Sequence, residues 1–427
     1  MKEKLFDKNF TIMIIGQLIS LLGNSLQRFA LSLYILDITG SAAIFSVILS
    51  LAILPQIFLA PFGGAIADRF SKKKIMVALD TVSGVLLILF AVLLQVKSAT
   101  PLILVGILMC IMAIIQSIYE PTVRASLPIM VAADNLPQAN SIVSIITALT
   151  SLFGPIAAGF VYGFLGIQAI FTINIVSFLI SAFMELFLYI EHKKTVIEGN
   201  MLSAFCHDIK STALYLIYEK RVIFYIILLS CLLNLFLTPI YTVGVPYLVK
   251  IVFGISDQLY GISEGAMGAG MIIGALMVMP LSKKIPFQKL YLYFVMLTLL
   301  ILGIGVTTLS NVKAISGPSY LSYFILTAIG FAFSFILTNV NISFMTYLQI
   351  ETPNELMGKT MALTGALSTA LMPVGQIIFG NLYEVLQNHL IIIYLLVAGL
   401  NMGTAVILKR ILARMPMNDT KEGCVVA

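Results

Sequence analysis

The chain has 427 residues, 60% of them hydrophobic and only 10% charged, with a formal net charge of +6. A soluble domain carries about 25% charged residues, so a composition with mean hydropathy +1.05 argues against a soluble enzyme. Four cysteines and three histidines show no metal-ligand or paired spacing, and neither a metal site, a disulfide framework nor any other cofactor is expected.

Taken in order, about twelve apolar stretches are long enough to cross a bilayer. They run over residues 11–36, 42–67, 75–96, 101–121, 138–163, 167–190, 222–249, 259–281, 287–310, 320–346, 357–384 and 390–412. Residues 1–9 are short and charged, and the first apolar run is a full span, so no cleavable leader is expected. With the N-terminus inside, 21 of the 25 Lys and Arg fall in cytoplasmic segments. That asymmetry sets the orientation, places both termini in the cytoplasm and accounts for most of the +6 without a nucleic-acid partner. The longest polar connection, residues 191–221, separates a six-span half (1–190) from a second (222–427). The fold class is therefore all-α, with two pseudo-symmetric six-helix bundles. Within the linker, Leu202, Phe205, Ile209 and Leu216 fall at helical spacing, which predicts a tethering helix on the inner membrane surface.

The first span carries Asn24, Gln27 and Arg28 at i, i+3 and i+4, with Asp37 at its outer end. A charge near the bilayer centre costs roughly 3 kcal/mol, so Arg28 needs a partner or a water-filled cavity. Either a polar patch facing the cavity or a buried pair holding the bundle meets that need.

Between the second and third spans lies Gly64-Ala65-Ile66-Ala67-Asp68-Arg69-Phe70-Ser71-Lys72-Lys73-Lys74. Its basic residues place it on the cytoplasmic side, and Gly64 would let another helix approach closely. The spacing Gly-x-x-x-Asp-Arg-x-small-Lys-Lys resembles the loop signature of the major facilitator superfamily, with Ser71 and Lys72 in place of the usual Gly and Arg. A weak internal repeat, Ser282-Lys283-Lys284 after Gly274, has Val278 where Asp68 would fall. The resemblance implies that Asp68 meets the start of span eleven and that Arg69 meets an acid on span four. Glu120, four residues before Arg124, stands where that acid is expected. Gly64, Asp68, Arg69, Lys72, Lys73, Glu120 and Arg124 are thus expected to form a conformational latch.

Span five contains Gly154-Pro155 and Gly159. Pro155 removes a backbone donor and bends the helix. The run resembles the Gly-Pro motif of proton-coupled exporters in the superfamily, and the alternative is a packing kink. Glu264 opens span eight ahead of Gly265, Gly268 and Gly270. A carboxylate there suits reversible protonation, and Glu264 with Asp37 are the proton-coupling candidates. The remaining substrate-cavity candidates are Gln116, Asn234, Asn339, Asn341 and Gln376, each of which could instead bond helix to helix. Glu185 and Glu384 read as solvated or snorkelling carboxylates.

Gly16-Gln17-Leu18-Ile19-Ser20, Asp37-Ile38-Thr39-Gly40-Ser41-Ala42 and Leu363-Thr364-Gly365-Ala366 with Met372-Pro373 resemble the macrolide-efflux and siderophore-exporter branch of the superfamily. That resemblance implies a monomeric secondary transporter of the bacterial inner membrane. It would export small amphipathic molecules in exchange for protons, amid membrane lipid. An importer or lysophospholipid flippase of the same fold is the alternative, and a non-transporting scaffold or embedded enzyme the more distant one. No Walker loop or metal-binding helix motif is present, so no enzymatic activity is expected.

Overall fold

The computed structural model describes residues 7–95, 100–132, 135–190, 214, 216–218, 220–309 and 319–413. Within these, side chains at 60, 61, 64, 65, 68, 283, 354, 355, 358, 359 and 362 fall outside the description. The linker helix expected over 191–221 lies mostly outside it too, although Leu216 is seen buried with Ile223, Ile227 and Leu348.

Helices account for nearly everything described, because a bilayer core offers backbone groups no partner but their own chain. The helices are α1 (Lys8–Thr39), α2 (Ala42–Arg69), α3 (Lys72–Leu93), α4 (Pro101–Met130), α5 (Leu136–Glu185), α6 (Arg221–Phe236) and α7 (Asp257–Lys284). After them come α8 (Tyr291–Leu309), α9 (Tyr320–Glu351), α10 (Asn354–Ala370), α11 (Met372–Val385) and α12 (Ile391–Ala413). Eleven of the described stretches are long and apolar enough to cross a membrane, α10 and α11 combining into one of them (Leu363–Val385). One of the eleven, α5, has 50 residues, about 75 Å of helix and more than two bilayer cores. It breaks at Gly166, whose φ of 75° and ψ of −176° suit a residue without Cβ. The break falls in the gap between the fifth and sixth predicted spans, and counting α5 twice gives twelve crossings.

Helix ends follow local chemistry. Gly40 closes α1 in a left-handed conformation, φ 60°, its N–H bonded to Leu36 O at 2.8 Å. Beyond α6 the chain continues to Val252 through two π turns, Ile240–Gly244 and Leu248–Val252. Pro239 and Pro246 lie in this stretch and remove donors from the regular ladder.

Two predicted boundaries change. The expected loop over 64–74 is mostly helix: α2 runs to Arg69, α3 begins at Lys72, and only Phe70 and Ser71 connect them. Asp68 therefore sits in the last helical turn. Likewise α4 continues past Pro121 and Pro128 to Met130, because a proline in a membrane helix costs little when neighbours satisfy the freed carbonyl.

Contacts divide the chain into two compact units. The first takes in Met1–Gly40, Ile48–Glu198 and Ser256–Gly265. Here α1 lies along α5, α3 packs on both α4 and α5, and Phe10, Met13, Met76, Tyr119, Val123 and Leu127 share one core. The second comprises Ser41–Val47, Gly199–Ile255 and Ala266–Ala427. Here α8 packs on α9 and α12, and α6 on α10 and α11. The opening of α2 thus belongs to the second unit, and that of α7 to the first.

Candidate functional site

Between Gly16 and Leu36, Arg28 is the one exposed residue of α1. The rest of that stretch is buried or half-buried. No ion pair to Arg28 is found among the described residues. Its expected companions do not share its face. Asn24 Nδ2 donates to Gln116 Oε1 of α4 at 3.1 Å. Gln27 is 1% exposed and accepts from Asn174 Nδ2 of α5. The 3.6-residue period puts these positions near each other, but Asn24 and Gln27 are taken up by different helices, α4 and α5.

The two sequence-derived carboxylates each meet a tyrosine. Exposed Asp37 accepts from Tyr162 Oη at 2.7 Å. Half-buried Glu264 accepts from Tyr260 Oη, one turn earlier, at 3.2 Å. The Tyr260 ring stacks on Phe29, with centroids 4.8 Å apart, which brings the head of α7 beside the neighbour of Arg28. Close approach of α5 allows this packing. A Cβ on Gly159 would stand 2.5 Å from Asp257 O and 3.1 Å from Gly261 Cα, and one on Gly154 would meet Ser25 Oγ at 2.1 Å. Pro155 lies inside α5 between them.

Two of the other polar span residues, Asn339 and Gln376, bond to neighbouring segments. Asn339 is 2% exposed and donates to Gly274 O at 3.1 Å and Phe335 O at 2.8 Å. Gln376 is buried and donates to Thr242 Oγ1 at 3.2 Å. Asn234 bonds within α6, to Ser230 O and from Thr238 Oγ1. Asn341 is exposed.

Around the charged connection, Arg124 and Glu120 pair at 2.9 Å, both well exposed. An exposed i, i+4 pair contributes about 0.3–0.5 kcal/mol. Arg69 is exposed, while Lys72 and Lys73 are half-buried in the first turn of α3. The side chains of Gly64 and Asp68 lie outside the described residues. The close helix approach is visible one position earlier: a Cβ on Gly63 would fall 2.0 Å from Ser117 O.

Sequence reasoning passed over one cluster and misjudged two carboxylates. Glu185 is 1% exposed and accepts from Tyr119 Oη at 2.8 Å, so it neither snorkels nor meets water. Asp80 of α3, which drew no notice in the sequence, is 2% exposed beside it. The signal was available: an Asp eight residues into a span, with Ser83 one turn on. Glu384 is not simply solvated. Its Oε2 accepts from Ser41 Oγ at 2.5 Å and Ala43 N at 3.2 Å, capping the N-terminus of α2 where an anion is favoured.

The described residues hold no cluster of three or more His, Cys, Asp or Glu able to bind a metal. The Major Facilitator Superfamily profile matches residues 13–376. The chain belongs to the Major Facilitator Superfamily. It is a multi-pass membrane transporter built from apolar helices. Macrolide efflux protein A of Streptococcus pyogenes is 23% identical over 371 residues, covering 85% of this chain and 86% of that protein. The staphyloferrin A transporter of Staphylococcus aureus is 23% identical over 270 residues, 63% of this chain and 66% of that one. Among solved structures, a bacterial homologue of the iron transporter ferroportin in an inward-facing state superposes with a TM-score of 0.71 at 18% identity. That match covers 95% of this chain and 98% of the other. At that identity the likeness is one of fold.

Proposed function

We propose that this superfamily member exports small amphipathic molecules across a bacterial inner membrane in exchange for protons, by alternating access. It would act as a monomer with both termini cytoplasmic, residues 1–190 and 222–427 forming the two bundles and 191–221 the linker. The observation that carries this reading is the similarity to macrolide efflux protein A along 85% of the chain, joined to a cavity candidate set with a single cation. Arg28 would meet substrate, with Asn24 and Gln116 beside it as a bonded pair. Glu264 and Asp37 would carry protons, their tyrosine partners ready to donate to the ionised form. Asp68, Arg69, Lys72 and Lys73 with Glu120 and Arg124 would latch the cytoplasmic side.

The test is accumulation of a panel of macrolides in cells lacking their own drug exporters. Expression should lower accumulation, a protonophore should restore it, and Arg28→Ala should behave as the empty vector. Accumulation equal with and without expression would overturn drug export and leave an importer, a lipid flippase or a scaffold. A second reading, an anionic substrate, is favoured by the unpaired exposure of Arg28. It predicts that Arg28→Lys retains transport better than Arg28→Gln.

A further inference from the structure

Asp80 and Glu185 lie inside the first unit, 2% and 1% exposed, and neither has a role in the proposed mechanism. Asp80 sits in the third turn of α3 and Glu185 at the end of α5. Tyr119 of α4 stands within electrostatic reach of both and donates to Glu185 Oε1 at 2.8 Å. Ser181, one turn before Glu185, is bonded to Asp80. These three, Asp80, Glu185 and Tyr119, are the titratable groups of the cluster. From α1 the cavity beside it is lined by the uncharged Ser20, Leu21 and Asn24.

One oxygen of each carboxyl, Asp80 Oδ2 and Glu185 Oε2, has no hydrogen-bond partner, and neither has the buried Ser83 Oγ. Among the described residues no Lys or Arg forms an ion pair with either acid. Desolvating one carboxylate without a counter-charge costs several kcal/mol, and a second negative charge nearby adds to that. Two ionised carboxylates therefore cannot share this site, and a positive charge must accompany them. A small cavity lined by Ser20, Asn24, Asp80, Ser83, Gln116 and Tyr119 reaches Asp80 and also touches the Asn24–Gln116 pair. It puts Asp80 on the wall of a space shared with the proposed substrate site, and Tyr119, on the same wall, links that space to Glu185.

We propose that Asp80 and Glu185 form a proton-binding site within the first unit, loaded and emptied through this cavity. The site alternates between one proton and two. The added proton comes from water in the cavity, forms an O–H bond on a carboxylate oxygen, and returns to water when that bond breaks. Tyr119 positions Glu185 for this exchange. The site supplements Glu264 and Asp37, and its use in transport rests on the proton-coupled reading above. Two carboxyls with a phenol and hydroxyls suit a proton better than a metal ion, which would take six or more oxygens for calcium.

Infrared difference spectra of the purified full-length protein between acidic and alkaline pH test this without any substrate. Wild type should show a protonated-carboxyl band that Asp80→Asn or Glu185→Gln removes, and Tyr119→Phe should shift the pH at which it disappears. A merely structural Tyr119 would leave that pH unmoved. A carboxyl band left unchanged by both acid substitutions overturns the proposal. So does thermal stabilisation of wild type, but not Asp80→Asn, by sodium, calcium or magnesium at fixed pH, which would make this a metal site. If the variants do not fold, carbodiimide labelling of wild type decides. Modification of Asp80 or Glu185 that falls as pH rises supports the site, and absence of label from both removes it. A protein that fails to lower macrolide accumulation yet keeps the band would discard the export reading and retain the proton site.

Discussion

Glu384 shows at the level of one residue how position decides what a carboxylate does. Near the end of an apolar run it could extend into water. Instead, one oxygen takes both the Ser41 hydroxyl and the Ala43 amide at the start of α2. Capping bonds of this kind contribute about 0.5–2 kcal/mol. Ser41→Ala and Glu384→Gln should each lower stability in detergent by an amount within that range, read as a lowered thermal midpoint, and the double variant should lose less than the sum. Full additivity would show that the two side chains act apart. Arg28 is the opposite case, an exposed charge with no ionic partner among the described residues. Its type and its place in a span marked it in the sequence as a charge needing either a cavity or a buried partner. Its exposure could not be read from the chain, because the neighbours that bury Gln27 and leave Arg28 open come from other helices.

At the level of the helix, glycines set how closely α5 and the head of α7 can pack. Gly159 faces Gly261 and the carbonyl of Asp257, with less room than a methyl group needs. Gly159→Ala should destabilise the protein by about 1–3 kcal/mol through overpacking, read as a lowered midpoint of thermal unfolding. An unchanged midpoint would mean that α5 and α7 separate freely. The Gly-Pro motif was legible as a packing device because proline and glycine carry backbone consequences wherever they occur. The helical extent of Gly64–Arg69 was not legible. Charged residues at the end of a span suit a loop and a helix end equally, and only the backbone path distinguishes them.

For the whole molecule, composition alone placed the chain in a membrane, and spacing of polar connections predicted twelve spans. The structure supplies eleven stretches of crossing length, one of which breaks at Gly166 into two. If Asp68 belongs to a latch that switches the transporter, Asp68→Asn should abolish transport while ligand binding to purified protein stays within a few-fold of wild type. Loss of binding would instead put Asp68 in the substrate path. The assignment of Ser41–Val47 to the second unit and of Ser256–Gly265 to the first shows that sequence order and contact do not coincide at these two helix starts.

The sequence by itself determined the helices, their number and the family, since bilayer length, the need to satisfy every backbone group and a short charged signature are all local properties. It also gave the residue types from which a transport cycle could be built. Tertiary structure decided which of those side chains meet. It joined Asn24 to Gln116, set Tyr162 on Asp37, and enclosed Asp80 with Glu185 around Tyr119. Those pairings depend on contacts between residues as much as 125 positions apart, and no local pattern encodes the distance between two helices that a glycine or a buried carboxyl finally sets.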